Sequence, residues 1–381
     1  MSKRPLLIYR DFLLYPSETF IKSQSEGLER FEPSFVGLQR VDGGIALDPQ
    51  SMFLIQGRSQ FRRADNVLFG FAGVSVRLMA HIARTRPALL HAHFGVDGSR
   101  VARTANVCQL PMLVTLHDYD VTTSDADLVA LHRSNARYIA RRPYLQRTAT
   151  RFIAVSEFLK RKAIARGFPE DRIQVHYIGV DVDRFVPSLP ATRDDVVLFV
   201  GRLVEKKGCR YLIEAMNAVQ REFPRLQLVV IGDGPLRSEL ETKSRQTLSR
   251  FQFLGKQSHA QVCEWFMRAR LFCLPSVTAK SGETEGLPIA ILEAMASEVP
   301  IVATRHAGIP EAVVHQETGL LTTERNSEDL TRQILTILRE PALASRLASA
   351  ASARVRQRFN LRQQNRQLET IYEEVAAARK S

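Results

Sequence analysis

Glu285 and Glu293 bracket the stretch EGLPIAILE, where a Gly-Leu-Pro turn runs into an apolar helical pattern. A helix beginning at Pro288 places Glu285 just before its N-terminus and Glu293 on its second turn. At helical rise the two stand roughly 12 Å apart, about the length of a sugar, a diphosphate and part of a ribose laid end to end. Carboxylates accept hydrogen bonds from hydroxyls, so one glutamate can hold sugar hydroxyls and the other ribose hydroxyls. The helix start between them offers unpaired N–H groups and partial positive charge, which suits a diphosphate. On spacing alone, a capping glutamate and an unrelated surface charge account for the pair better.

Three other places carry chemistry. GRLVEKKG (201–208) puts Arg202 and Lys207 in a loop between a strand and a helix. A guanidinium forks onto phosphate oxygens and an ammonium adds a second point charge. LLHAHFG (89–95) and TLHDYD (115–120) end two strands in His93 and His117, which point at the same sheet edge. IGDGP (231–235) has two glycines that permit a tight turn, and without a third glycine it reads as structural.

These residues need a frame that brings strand ends together. VVLFV (196–200), LQLVVIG (226–232), FQFLG (251–255), LFCLPS (271–276), IVATR (301–305) and GLLTT (319–323) are short apolar runs with helical patterns between most of them. LLIY, SFVGL, ALLHAHF, PMLVTLH, RFIAVS and IQVHYIG repeat the scheme in the first half, with helices at VRLMAHIA and from Ala126 to Arg142. Such runs make parallel strands buried on both faces. The expected fold class is α/β, with two Rossmann-like parallel-sheet domains facing an interdomain cleft. The expected boundaries are 1–187 for the first domain, 188–360 for the second and 361–381 for a helical tail.

Composition narrows the class. The chain has 381 residues, 45% of them hydrophobic, and a formal net charge of +13. The longest apolar candidate, VLFGFAGVSV (67–76), is too short to span a bilayer. The N-terminal MSKRPLLIYRDF lacks the apolar core and cleavage site of a secretory leader. Four scattered cysteines, with no Cys-x-x-Cys pair, read as free thiols in a reducing compartment. A cytoplasmic location follows as an expectation. The positive charge admits nucleic acid, an anionic membrane or phosphorylated substrates, but no nucleic-acid-binding signature accompanies it.

The combination of EGLPIAILEAMASEVPIVATRHAGIPEAVVHQETGLL (285–321), VGRLVEKKGCRYLIEA, IGDGP, FLGK and IGVDVDRF resembles the family-4 retaining glycosyltransferases. The likeness runs over about residues 85–375 and is densest from 178 to 322. It implies the glycosyltransferase-B fold, with the C-terminal helix crossing back to the first domain. It also implies roles. Glu285 contacts donor-sugar hydroxyls and Glu293 the ribose. Arg202 and Lys207 bind the diphosphate, and Gly286 and Leu287 sit near sugar and phosphates. His117 corresponds to the histidine of the family's His-Gly-x-Asp motif, against the reacting sugar. Here the motif reads HDYD, so Asp118 stands where the family has glycine. The family's Gly-Gly loop is replaced by YPSETFIKSQ (15–24), similar to surface-polysaccharide glycosyltransferases, and Ser17 and Thr19 are its phosphate-contact candidates.

The reaction implied is transfer of a hexosyl unit from a UDP-, GDP- or ADP-linked sugar, with retention and without a metal or other cofactor. The implied acceptor is a polyprenyl-diphosphate-linked saccharide of exopolysaccharide biosynthesis. Arginines and apolar residues alternate through RSQFRRADNVLFGFAGVSVRLMAHIARTR (58–86), as in a peripheral helix on the inner membrane leaflet. An ordinary core helix with a basic rim fits the same pattern. The competing readings are a nucleotide-sugar epimerase or hydrolase on the same fold, and a basic nucleic-acid-binding protein.

Overall fold

The runs LLIY, LLHAH and MLVTL form the middle of a parallel sheet in the computed structural model, which describes residues 3–57, 59–185 and 193–378. Among the described residues this sheet has seven strands. Their order is Met52–Leu54, Phe31–Gly37, Arg4–Tyr9, Leu89–His93, Met112–Leu116, Arg151–Ala154 and Ile173–Val175. Every residue of Leu89–His93 and Met112–Leu116 is buried, as helices on both faces require.

The second sheet has six described strands, in the order Phe251–Gly255, Gln227–Ile231, Asp194–Val200, Ala269–Leu274, Ile301–Thr304 and Leu320–Thr322, all parallel. In both sheets the order turns back on itself beside a central strand, and at such a switch point the carboxyl ends of the strands leave room for a ligand.

The chain divides into two compact units, one reaching to Gly179 and resuming at Leu361, the other running from Val180 to Asn360. The expected boundary at 187/188 lies outside the described residues. Val182–Phe185 already sides with the second unit, where the Phe185 ring meets His259 edge-on at 6.3 Å. One further difference concerns the helix expected from Ala126 to Arg142. It is two helices, Asp125–Leu131 and Asn135–Thr148. His132 turns out of helical backbone (φ −161°, ψ 128°), and its Nδ1 accepts the Ser134 N–H at 3.2 Å.

The helix Leu361–Ala377 belongs to the first unit. Leu368, Ile371, Tyr372 and Val375 enter the same core as Leu6, Ile8 and Phe31. Glu369, only 1% exposed, accepts the Arg30 and Phe31 N–H groups at 2.6 and 3.3 Å and pairs with the Arg30 guanidinium. Asn365 donates to the Gln24 carbonyl at 3.0 Å. Removing the Glu369 carboxylate leaves two backbone donors without their acceptor. Glu369→Ala should therefore destabilise the protein by about 1–3 kcal/mol in urea unfolding; an unchanged midpoint would contradict this account of the tail.

Candidate functional site

The second sheet gathers charged groups at its strand ends. After Asp194–Val200 the chain enters a short 3-10 turn, Glu205–Lys207, and reverses at Gly208. Gly208 has φ +64°, and a Cβ there would lie 1.8 Å from the Pro275 carbonyl oxygen. Only glycine lets the turn approach strand Ala269–Leu274 so closely. The approach places the Lys207 ammonium 2.8 Å from Glu285 Oε1. The same carboxylate oxygen accepts from Ser276 Oγ at 2.9 Å. Next to it, the buried Lys206 pairs with Glu283 at 2.7 Å. Burial alone would push the Glu285 carboxyl up, but Lys207, Lys206 and the two hydrogen bonds outweigh it and hold the pKa below the usual range. Glu285 is an anion inside the protein.

Gly286 and Leu287 are buried beside it, and Pro288 caps a helix whose first helical residue is Ile289 rather than Pro288. Glu293 lies on the second turn of Ile289–Ala296, 7% exposed, with Oε1 2.9 Å from His259 Nε2. Cys263 Sγ, 3.9 Å from Nδ1, and the Glu293 carboxylate push the His259 pKa up to about 10. Arg202 is exposed on the loop after Val200; its carbonyl accepts the Val204 N–H at 2.9 Å, and its guanidinium has no hydrogen bond or ion pair among the described residues. Gly232, at φ +132°, brings its Cα against the Gly201 carbonyl, where a Cβ would stand 2.0 Å from the oxygen. The IGDG stretch is structural, as its sequence suggests.

In the first unit His93 and His117 meet, His93 Nδ1 lying 3.0 Å from His117 Nε2. Both are buried, with Phe20 and Phe94 against His117 at centroid distances of 5.1 and 4.5 Å. Burial, aided by Arg10, drives the His117 pKa down to about 3, so this pair is neutral near pH 7 and one ring donates to the other. Asp118 has φ −166°, outside the left-handed region, so aspartate occupies the glycine position of the family motif without a left-handed strain. Its carboxylate accepts the Tyr119 N–H at 2.5 Å. Thr19 opens the helix Thr19–Glu26 and Ser17 is exposed before it.

Several residues of the site escaped sequence reasoning. Glu18, between the two hydroxyl candidates, is buried and pairs with Arg10 at 2.6 Å. Arg10 also pairs with Asp97 and lies 4.3 Å above the Phe94 ring. The clue was a charged pair, Arg10 and Asp11, directly at the end of an apolar strand. His259, Lys206 and Glu283 gave weaker clues, since each sits in an ordinary polar stretch. Among the described residues no three His, Cys, Asp or Glu side chains are grouped to hold a metal ion.

The family model for "Glycosyltransferase Family 4" matches residues 39–184, and that for "Glycosyl transferases group 1" matches residues 182–354. Among similar proteins, the amylovoran biosynthesis glycosyltransferase AmsK of Erwinia amylovora is 30% identical, covering 74% of this chain and 69% of that protein. The putative colanic acid biosynthesis glycosyltransferase WcaL of Escherichia coli is also 30% identical, with the same coverage. Among solved structures, HepE of Anabaena in complex with UDP has a TM-score of 0.77 at 20% identity, covering 97% of this chain and 100% of that one. Sucrose-phosphate synthase from Thermosynechococcus elongatus has a TM-score of 0.75 at 19% identity, covering 99% and 100%. Two parallel-sheet units with flanking helices of this kind define a glycosyltransferase-B fold. The chain belongs to the family-4 glycosyltransferases.

The His259–Glu293 pair makes a pH-dependent contribution. A histidine whose folded pKa is raised from 6.5 to about 10 stabilises fully below 6.5 and loses that contribution as the pH approaches 10. The difference in Tm between the wild type and His259→Gln should therefore be largest at pH 6 and shrink steadily toward pH 10. A constant difference over that range would mean the pair is not ionic.

Proposed function

We propose that this glycosyltransferase moves a hexosyl unit from a nucleotide-diphosphate sugar to a hydroxyl of a lipid-linked saccharide, retaining the anomeric configuration, in the building of an exopolysaccharide. The observation that carries this is the Lys207–Glu285 pair set beside the start of helix Ile289–Ala296, with Glu293 one turn further on. That arrangement offers a cation and helix N–H groups to a diphosphate, and a carboxylate on either side for hydroxyls. UDP and UDP-glucose are bound in the Anabaena fold neighbours, which favours a nucleotide-sugar donor. The amylovoran and colanic acid relatives favour a polysaccharide product.

In this reading the bond between the anomeric carbon and the diphosphate oxygen breaks, and its electron pair goes to the leaving diphosphate. Arg202, Lys207 and the helix start meet that growing charge, so they stabilise the transition state more than the ground state. Gly286 and Leu287 border the sugar and phosphates. Glu285 orients the sugar through its hydroxyls and Glu293 holds the ribose. The acceptor oxygen bonds to the anomeric carbon on the face the diphosphate leaves, and a leaving-phosphate oxygen takes its proton. From the first unit, His117 supplies the sugar contact its motif implies, held in orientation by His93. Ser17, Thr19 and Asp118 shape the acceptor side. Arg202 and Lys207 are the assigned counter-charges, and no metal ion is given a part.

Glu285→Ala should lower transfer by at least about 100-fold, with nucleoside diphosphate affinity little changed. Lys207→Ala should lower both. Transfer is read as nucleoside diphosphate released only when acceptor is present, with the product configuration assigned by NMR. Unaltered turnover in Glu285→Ala, an inverted product, or equal donor consumption without acceptor would each defeat the proposal.

A further inference from the structure

We propose that the outer face of helix Gln60–Ala72 and the arginine-bearing helices packed around it form a docking surface for an anionic phospholipid membrane. The helix is two-faced. Asp65 and Phe69 are buried, whereas Phe61, Val67, Leu68 and Phe71 are 65, 66, 41 and 82% exposed. At 100° per residue the exposed apolar positions share an arc of roughly 120°, whose centre lies about 120° round the helix from that of the buried pair. A cap at Gly73 (φ +71°) ends the helix, and Val76–Thr85 leaves at 96°. No single described helix is long and apolar enough to cross a membrane. The buried Asp65 and Phe69 tie this one flat against the unit, which is the geometry of a helix lying in an interface.

Charge selects the partner. Helices Gln60–Ala72, Val76–Thr85, Gly95–Val107 and Asn135–Thr148 together carry ten arginines and only two carboxylates. Both carboxylates, Asp65 and Asp97, are 4% exposed and spent internally. Asp65 accepts from Ser75 Oγ and the Val76 N–H, each at 2.7 Å. Asp97 accepts the Asp11 N–H at 2.8 Å and pairs with Arg10. Of the ten, Arg100 pairs with Asp11 and Arg142 with Asp125, both from outside these helices; no carboxylate of the helices themselves offsets the other arginines at the surface. Arg137 lies 5.9 Å from the Phe71 ring, and Arg141 donates to the Gly70 and Phe71 carbonyls at 2.7 and 2.9 Å, so apolar and cationic groups are interleaved. A polyanion such as RNA would satisfy the guanidinium groups but leave Phe61, Val67 and Phe71 in water. A lipid interface takes up both. Docking here would hold the enzyme where a lipid-linked acceptor lies, and for that purpose it rests on the acceptor reading above.

The test uses the full chain and sedimentation with phosphatidylcholine vesicles, with or without phosphatidylglycerol. Binding should require phosphatidylglycerol and weaken as salt is added. The double variant Val67→Ser/Phe71→Ser alters exposed side chains only, and should need at least about tenfold more lipid for half-binding. Its Tm and its transfer to a water-soluble acceptor should be unchanged. Arg62→Glu/Arg63→Glu should weaken binding in the same way. Equal binding to neutral vesicles, no binding, or undiminished binding in both variants would overturn the docking surface. So would a dimer in light scattering that the double variant dissolves, or competition by duplex RNA that the double variant leaves intact. Vesicle binding by an enzyme that uses only water-soluble acceptors would uphold the surface and remove the lipid-linked acceptor instead.

Discussion

A carboxylate taken out of water must find a cation or lose its charge. Glu285, 4% exposed, keeps its charge because Lys207 stands 2.8 Å away. The local backbone serves that pair. Gly208 makes the tight reversal that brings Lys207 over strand Ala269–Leu274, and Ser276, at the end of that strand, supplies a second donor to the same oxygen. Lys206 and Glu283 repeat the pairing, one residue before the lysine and two before the glutamate. A lysine already desolvated and fixed by a carboxylate loses little further freedom when an anionic ligand arrives. Under the proposed function the pair is a preformed half-site, electrically neutral before a diphosphate would bring the next negative charge.

The first unit meets the same constraint with arginine. Arg10, at the end of strand Arg4–Tyr9, is clamped between Asp97 and Glu18, and Asp11 turns to Arg100 at 2.7 Å. Burial and the Asp97 charge push the Asp11 pKa up to about 7. Glu18 also accepts the Tyr15 N–H at 3.0 Å, which ties the loop before Thr19 to the strand end. Through that loop, Phe20 is set against His117. A bidentate fork suits this task better than an ammonium, because it must hold two carboxylates at fixed directions. Each unit therefore places a buried cation at the carboxyl end of a central strand, beside the residues its ligand would meet.

What sequence could reveal follows from which forces are local. Strand runs such as LLHAH and MLVTL were legible because burial on both faces removes polar alternation. Glu285, Lys207 and Glu293 were candidates by strand-end position and were singled out by the family resemblance rather than by spacing, and the structure brings Glu285 and Lys207 into direct contact. The partners of these residues were illegible. His259 reaches Glu293 across 34 positions and Arg10 reaches Asp97 across 87, and no local pattern encodes contacts at that range. The break at His132 was missed because the helical periodicity continues through it, while the His132–Ser134 hydrogen bond that accompanies the turn is a local competition that periodicity does not register. Glu18 was passed over for Ser17 and Thr19, since hydroxyls are the ordinary helix-start partners of phosphate and a glutamate there reads as surface.

The net charge of +13 is spread unequally in kind. In the second unit, arginines are largely spoken for: Arg268 pairs with Asp194, Arg270 with Asp195 and Arg339 with Glu222. On the helices around Phe71 only Arg100 and Arg142 have such a partner among the described residues, and the rest crowd one another. Burial, then the charges of Arg100, Arg137 and Arg103, pull the Arg141 pKa below its usual value. Like charges held together raise the free energy of the folded state, and packing does not require them at exposed positions such as Arg103 and Arg137. An anion brought near relieves that repulsion and gains attraction from each guanidinium at once. A fold that keeps every carboxylate of those helices inside, and leaves its repelling arginines beside exposed phenylalanines, is strained electrostatically in water and relaxed against a negative, apolar surface.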